Sequence, residues 1–83
     1  MKIFYFALIR EHIGQSTENV SLPSGVETVT QLITYLEEKG DNYKTAFAQS
    51  DLIRVAINDE YVGFDHNIGN DDEIAFFPPM TGG

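Results

Sequence analysis

The 83-residue sequence predicts an α+β fold in which one main helix covers one face of a mixed sheet. Three observations predict it. Apolar, strand-like runs lie at both ends of the chain, an amphipathic helix with a capping box lies between them, and an alternating segment before the last run indicates a hairpin. Because a chain of this length buries enough surface for one core, we expect a single domain over residues 1–83.

The first element is predicted to be a strand. Residues 1–8 carry aromatic and branched side chains at both parities, which is typical of a strand covered to some extent on both faces. Residues 10–14 break this pattern and are expected to form a loop. Residues 18–22 resume it briefly, and residues 23–25, Pro-Ser-Gly, then predict a turn, so the first two strands are expected to form a hairpin.

One helix is predicted over residues 28–39. Thr28 is suited to cap its first turn, and Gln31, three residues later, completes a capping box. Gly40 is expected to end the helix in the left-handed conformation. Apolar side chains at i, i+3, i+4 and i+7 give this helix one apolar stripe, formed by Val29, Leu32, Ile33 and Leu36.

The segment between the helix and the next strand is mostly polar. We predict one helical turn within residues 41–51, with Phe47 closing the bottom of the core. Residues 52–58 then alternate, with Ile53, Val55 and Ile57 on one side, as in a half-buried strand.

A hairpin and a last strand complete the fold. Asn58-Asp59 tolerate turn conformations and precede a short strand at residues 61–62. The last strand is predicted at residues 73–77, and Pro78-Pro79 end it because proline gives no N–H to a ladder. Strand, strand, helix, strand, short strand, strand is the order of a ubiquitin-like β-grasp fold.

Composition narrows the functional classes. Thirteen Asp and Glu against five Lys and Arg give a net charge of −8, which disfavours nucleic acid and anionic membranes and favours basic protein surfaces. The chain has no cysteine, which excludes a thiol nucleophile, a persulfide or a zinc-thiolate site on its own residues. No apolar run approaches a bilayer span and the N-terminus is strand-like, so we expect a cytoplasmic location.

The C-terminal residues 77–83 are predicted to form a flexible, extended tail. Six residues from Pro78 onward reach about 20 Å when extended. The prolines stiffen the base of the tail, whereas Gly82 and Gly83 lack Cβ atoms and can enter a narrow channel. A carboxylate needs activation, and the chain has no phosphate-binding loop, so a separate ATP-using enzyme is implied. Taken alone, a terminal Gly-Gly is equally compatible with a frayed end.

Three segments resemble a known family. Residues 72–83 read DEIAFFPPMTGG, residues 64–66 read FDH and residues 6–11 read FALIRE. They resemble the MoaD-type small subunits of molybdopterin synthase, which are sulfur carriers of the MoaD/ThiS ubiquitin-like family, and the likeness spans essentially the whole chain. The resemblance implies a subunit that is not itself an enzyme but donates sulfur to a pyranopterin precursor in molybdenum cofactor biosynthesis.

The resemblance also implies partners. A MoeB-type, E1-like enzyme is expected to use ATP and Mg to adenylate Gly83, and a sulfur donor system then converts it to a thiocarboxylate. A MoaE-type large subunit is expected to receive the tail. The chain itself is expected to bind no cofactor.

The site residues follow from the same resemblance. Gly83 bears the sulfur, Thr81 and Gly82 thread the channel, and an apolar surface docks the partner: Phe77, Pro78, Pro79 and Met80. Because neighbours in a strand face opposite sides, we expect one of Phe76 and Phe77 in the core and the other at the surface. Arg10 is expected near the start of the last strand, paired with a partner carboxylate or with Glu11 or Asp65.

Other interpretations stay open. The alternatives are a ThiS-like or other ubiquitin-related sulfur carrier, a protein modifier conjugated through Gly83, and a stand-alone enzyme or structural domain. His12, His66, Asp65 and Asp59 lack the spacing of metal ligands, so no metal site is predicted. The pair Asp71-Asp72 is interpreted as structural.

Overall fold

A five-stranded sheet with helices on one face forms the protein, and the computed structural model describes residues 1–79. Its elements in chain order are β1 (Lys2–Tyr5), α1 (Ala7–Ile13), β2 (Thr17–Asn19), α2 (Val29–Glu37), α3 (Asp41–Ala46), a 3₁₀ turn (Ser50–Leu52), β3 (Arg54–Ile57), β4 (Glu60–Val62) and β5 (Glu73–Phe77).

The sheet is mixed. Its strand order is β2-β1-β5-β3-β4, with β1 and β5 parallel and every other neighbouring pair antiparallel. Tyr5 pairs with Phe76 across β1 and β5, and Arg54 pairs with Phe77 across β3 and β5. The predicted α+β, β-grasp fold is confirmed, and β5 lies at the centre of the sheet with the C-terminus leaving from it.

The core lies between the sheet and the helices. Side chains at one parity of each central strand are buried, as in Ile3 of β1, Val55 of β3 and Ile74 of β5. Phe76 is fully buried, and its ring meets the ring of Phe47 edge-on at 5.1 Å between centroids. The prediction that Phe47 closes the core is confirmed, and the opposite face of the sheet carries no helix within residues 1–79.

Helix α2 begins as predicted and ends differently. The Gln31 N–H donates to Thr28 Oγ1 at 3.3 Å, and the Thr28 N–H donates to Gln31 Oε1 at 3.1 Å, so the capping box is confirmed. The helix ends at Glu37, and the left-handed Gly40 was a wrong prediction. Gly40 is extended, and its carbonyl accepts from the N–H groups of Tyr43 and Lys44, so it begins α3.

Helix α1 was not predicted. The strand expected over residues 1–8 ends at Tyr5, and the loop expected at 10–14 is mostly helical. The Phe6 N–H donates to Phe76 O at 3.1 Å, after which Ala7, with φ 53°, turns the chain away from the sheet. Ile9 and Ile13 are buried one helical turn apart, and this spacing was the signal that the adjoining aromatic run concealed.

The remaining elements lie close to their predicted bounds. Strand β2 is shorter than the predicted 18–22, whereas β5 covers the predicted residues 73–77. Asn58 and Asp59 have φ of 50° and 72° and join β3 to β4 in the predicted hairpin. Within residues 1–79, no helix combines the length and hydropathy needed to cross a bilayer.

Candidate functional site

The candidate site is the point where the chain leaves the sheet. Strand β5 ends at Phe77, so Phe77 belongs to the sheet and Pro78 is the first residue beyond it. Pro78 is exposed and Pro79 is partly buried. Four of the predicted site residues lie outside the described residues: Met80, Thr81, Gly82 and Gly83.

Phe77 lies on the outer face of the sheet. Phe76 has no exposed surface, whereas Phe77 is half-buried on the opposite face, so the predicted division of the two phenylalanines is confirmed. The Phe77 ring lies 5.6 Å from the ring of Tyr61 on β4, and Tyr61 is 76% exposed. With Pro79 and Arg54 these rings line a shallow depression of about 330 Å³, which we call the sheet-face depression.

A second depression lies on the other side of the prolines. This groove of about 390 Å³ separates α1 from the segment formed by α3 and the 3₁₀ turn, and Pro78 and Pro79 form one of its walls. Leu8 and Leu52 line it and are 62% and 50% exposed. The first residues beyond β5 are therefore flanked by apolar surface on both sides, which suits contact with a partner that encloses the tail.

Four residues that line the two depressions were not predicted as site residues from the sequence: Tyr61, Arg54, Leu8 and Leu52. Arg54 and Tyr61 stand on neighbouring strands, and only the pairing of β3 with β4 and β5 brings them beside Phe77. The alternation within residues 52–58 placed Arg54 on the side opposite to Ile53 and Val55. That pattern does not indicate which residue of a neighbouring strand Arg54 contacts. Leu8 was hidden in the predicted first strand.

Arg10 does not lie where it was predicted. It is an exposed residue of α1, and because β1 and β5 run parallel, the segment after β1 lies beside the end of β5 rather than its start. Within residues 1–79 Arg10 forms no ion pair, with Glu11, Asp65 or any other carboxylate. Its predicted pairing with a partner carboxylate stays a prediction.

The acidic loop before β5 holds the turn together. Asp72 Oδ2 accepts from the Gly69 N–H at 2.8 Å, and Asp72 Oδ1 accepts from Asn58 Nδ2 at 3.1 Å. These bonds support the structural interpretation of Asp72, and the same interpretation of Asp71 stays a prediction. No three carboxylates or imidazoles of residues 1–79 lie close enough to hold a metal ion.

A polar cluster around Glu18 fixes β2 against the helices. Glu18 Oε1 accepts from the hydroxyls of Tyr5 at 3.0 Å and Tyr43 at 2.9 Å, and Oε2 pairs with Lys39 Nζ at 2.8 Å. Partial burial opposes ionisation of Glu18, but the hydrogen bonds from Lys39, Tyr43 and Tyr5 outweigh it and hold its pKa below the ordinary value. Burial, followed by the charge of Glu18, raises the pKa of Tyr5. This cluster stabilises the scaffold and lies apart from both depressions.

Comparison with known proteins gives a consistent result. The sequence pattern of the ThiS family matches residues 3–83. The molybdopterin synthase sulfur carrier subunit of Escherichia coli (strain K12) is 35% identical over 83 residues, which is 100% of this chain and 99% of that relative. Among solved structures, a putative molybdopterin converting factor subunit 1 from Pyrococcus furiosus has a TM-score of 0.72 and 30% identity, covering 95% of each chain. SAMP1 from Haloferax volcanii has a TM-score of 0.74 and 27% identity, covering 100% of this chain and 98% of that one.

Proposed function

The chain belongs to the ThiS family, and on that premise we propose that it is the sulfur carrier subunit of a molybdopterin synthase. The observation that carries the proposal is the 35% identity with the Escherichia coli carrier subunit over the full length of this chain. The family match extends to Gly83, so it includes the terminal Gly-Gly that the chemistry requires.

The chemistry takes place at the terminal carboxylate. An E1-like, MoeB-type enzyme binds ATP and Mg, and the Gly83 carboxylate attacks the α-phosphorus of ATP, forming an acyl-adenylate and releasing pyrophosphate. Hydrosulfide delivered by a donor system then attacks the acyl carbon and displaces AMP, which leaves a thiocarboxylate. The thiocarboxylate sulfur then bonds to the pyranopterin precursor, and water hydrolyses the acyl–sulfur bond, so the sulfur stays on the precursor and the tail returns to its carboxylate form.

The described residues support this role by their position. The two prolines follow directly after the central strand, and proline fixes its own φ at about −65°, so the chain has a restricted conformation where it leaves β5. Phe77, Pro78 and Pro79 stand between the sheet-face depression and the groove beside α1. We assign these residues, with Met80 and Arg10, to docking of the partner, and Thr81 and Gly82 to entry into its channel.

The partner that accepts the sulfur is proposed to be a MoaE-type large subunit. A carrier with a net charge of −8 is suited to a partner whose binding surface is basic overall. Aromatic side chains such as Tyr61 and Phe77 are the type of residue that contributes most to interface affinity. The proposal places this assembly in the cytoplasm, where ATP for the activation step is available.

The first experiment measures the intact mass of the chain after incubation with the activating enzyme, Mg-ATP and a sulfur donor. We expect a gain equal to exchange of one oxygen for sulfur, located on Gly83 by fragmentation. A chain lacking Gly82 and Gly83 is the matched control and is expected to keep its mass. Absence of any gain in the full-length chain with active enzyme would contradict the proposal.

A second candidate is a protein modifier. The structural likeness to SAMP1, small archaeal modifier protein 1, favours this candidate, with a TM-score of 0.74 and 27% identity over the whole chain. A modifier forms an isopeptide bond between Gly83 and a lysine of another protein, which would appear in cells as a ladder of heavier conjugates of a tagged chain. A thiocarboxylate without such a ladder distinguishes the carrier from the modifier.

A further inference from the structure

Arg54 stands beside the start of the tail and forms no ion pair with a carboxylate of residues 1–79. It lies on the outer face of β3, directly opposite Phe77 in the pairing of β3 with β5. The side chain is exposed and lines the sheet-face depression together with Tyr61, Phe77 and Pro79. A cation is thus placed among the aromatic and proline side chains that surround the start of the tail.

Among residues 1–79, most N–H donors of the Arg54 guanidinium have no acceptor. Within that part of the chain Arg54 Nη1 donates to the carbonyls of Asp51 and Ile53, both at the long distance of 3.4 Å, and to no other group. Within residues 1–79 the one ion pair joins Lys39 to Glu18, on another part of the molecule. A guanidinium offers five N–H donors in a planar fork that matches a carboxylate, so Arg54 is equipped to bind one.

Five of the thirteen acidic residues lie together at the opposite end of the sheet. Asp59 and Glu60 belong to the β3–β4 hairpin, and Asp71, Asp72 and Glu73 lie beside it, where β5 begins. From there β5 runs about 13 Å to Phe77, at roughly 3.3 Å per residue. A basic partner surface would therefore attract this acidic end of the sheet. The opposite end, where the tail begins, needs an attraction of the other sign if it is to face the partner.

We infer that Arg54, together with Tyr61 and Phe77, binds an acidic side chain at the mouth of the large-subunit site that receives the tail. The inference rests on the proposed function and adds to it the chemistry of the partner's contact. Arginine, tyrosine and phenylalanine are each enriched at protein interfaces. The carboxylate would orient the carrier so that its tail, rather than its acidic end, faces the channel.

The test compares the affinity of three variants for the large subunit by calorimetric titration. Arg54→Glu reverses the charge, Arg54→Gln removes it, and Lys44→Glu changes the net charge equally on the exposed surface of α3. We expect Arg54→Glu to weaken binding about tenfold or more at low salt, Arg54→Gln to weaken it less, and Lys44→Glu to change it about twofold at most. The loss in Arg54→Glu is expected to shrink as salt is added.

A rescue experiment identifies the partner residue. Each acidic residue at the mouth of the large-subunit channel is replaced by lysine in turn, and one replacement is expected to restore the affinity of Arg54→Glu. Equal affinities of Arg54→Glu and Lys44→Glu, with the wild type binding normally, would overturn the inference alone. A wild-type chain that acquires no thiocarboxylate and does not bind the large subunit would overturn the proposed function and the inference with it.

Discussion

At the scale of single residues, Glu18 is the side chain on which most polar contacts converge. The Tyr5 ring is almost fully buried, and a buried hydroxyl without an acceptor costs free energy, so Tyr5 depends on Glu18 for its partner. Lys39 and Tyr43 bind the same carboxylate, which joins β2 to the segment around α2 and α3. A strand of only three residues is thereby fixed by its central side chain.

Glu18→Gln is expected to lower the free energy of unfolding by about 1 kcal/mol at pH 7, because the amide keeps an acceptor but loses the charge that binds Lys39. The pKa of Glu18 is lower in the folded chain, so its contribution is complete above the unfolded pKa of about 4.3 and is lost as pH falls through the folded pKa. Urea unfolding of both proteins from pH 7 to pH 3 measures this.

Glu11→Gln is the matched control for that experiment, since Glu11 is exposed and forms no ion pair within residues 1–79. It removes the same charge and is expected to leave the free energy of unfolding within about 0.5 kcal/mol of the wild type. A difference between wild type and Glu18→Gln that stays constant down to pH 3 would show that the carboxylate charge does not carry the contribution.

At the scale of elements, the two turn residues of the hairpin from β3 to β4 differ in their side-chain contacts. Asn58 has φ 50° and its side chain is fixed on both sides, because Oδ1 accepts from the Glu73 N–H at 3.1 Å and Nδ2 donates to Asp72. Asp59 has φ 72°, and within residues 1–79 its side chain forms no hydrogen bond. The strain of a left-handed residue at this position is therefore not offset by a contact.

Asp59→Gly is expected to raise the free energy of unfolding by about 0.5–1 kcal/mol, because Asn-Gly is the preferred pair where both turn residues have positive φ. Asp59→Ala removes the same charge but keeps a Cβ atom, so it is expected to be about 1 kcal/mol less stable than Asp59→Gly. Urea unfolding at pH 7 measures both. Equal stability of the two variants would contradict a conformational origin.

Local signals explain which elements could be predicted. Helix α2, the hairpin turn and β5 were predicted because a capping box, an Asn-Asp pair and a proline stop each act within a few residues. Helix α1 was missed because its buried residues, Ile9 and Ile13, follow a strand without any intervening turn residue. Gly40 was misread because a glycine between two helices can end one or begin the next, and here it begins α3.

The residues of the candidate site also divide into those that a local sequence signal predicted and those that it did not. Parity along β5 was enough to place Phe76 and Phe77 on opposite faces, but Tyr61 and Arg54 reach Phe77 only through pairing between strands distant in sequence. The position of Arg10 was wrong because it depends on whether β1 and β5 run parallel or antiparallel, and no short segment specifies that. The roles assigned to the tail residues stay predictions.

At the scale of the whole molecule, negative charges greatly outnumber positive charges. A net charge of −8 on 83 residues produces self-repulsion, and one ion pair within residues 1–79 offsets little of it. Five of the thirteen acidic residues lie around the β3–β4 hairpin and the start of β5, so part of this repulsion acts at the end of the sheet opposite the tail. Unfolding separates these charges and relieves it.

Salt is therefore expected to stabilise the protein. Between about 0.01 M and 0.15 M NaCl the screening length falls from about 30 Å to about 8 Å, which is less than the size of the molecule. We expect the Tm to rise by about 4 °C or more, the change that corresponds to about 1 kcal/mol in a domain of this size. Thermal unfolding at pH 7, followed by circular dichroism, measures it.

Asp71→Lys separates self-repulsion from other effects of salt. Asp71 is exposed in the acidic loop. The substitution replaces one negative charge with one positive charge at the acidic end, so the net charge of the chain changes from −8 to −6. The variant is expected to have a higher Tm than the wild type at low salt and a smaller rise with NaCl, because less repulsion remains to be screened. If the wild type and Asp71→Lys gained equally from salt, the gain would come from a general effect of NaCl on apolar burial, and the acidic end would contribute nothing measurable to stability.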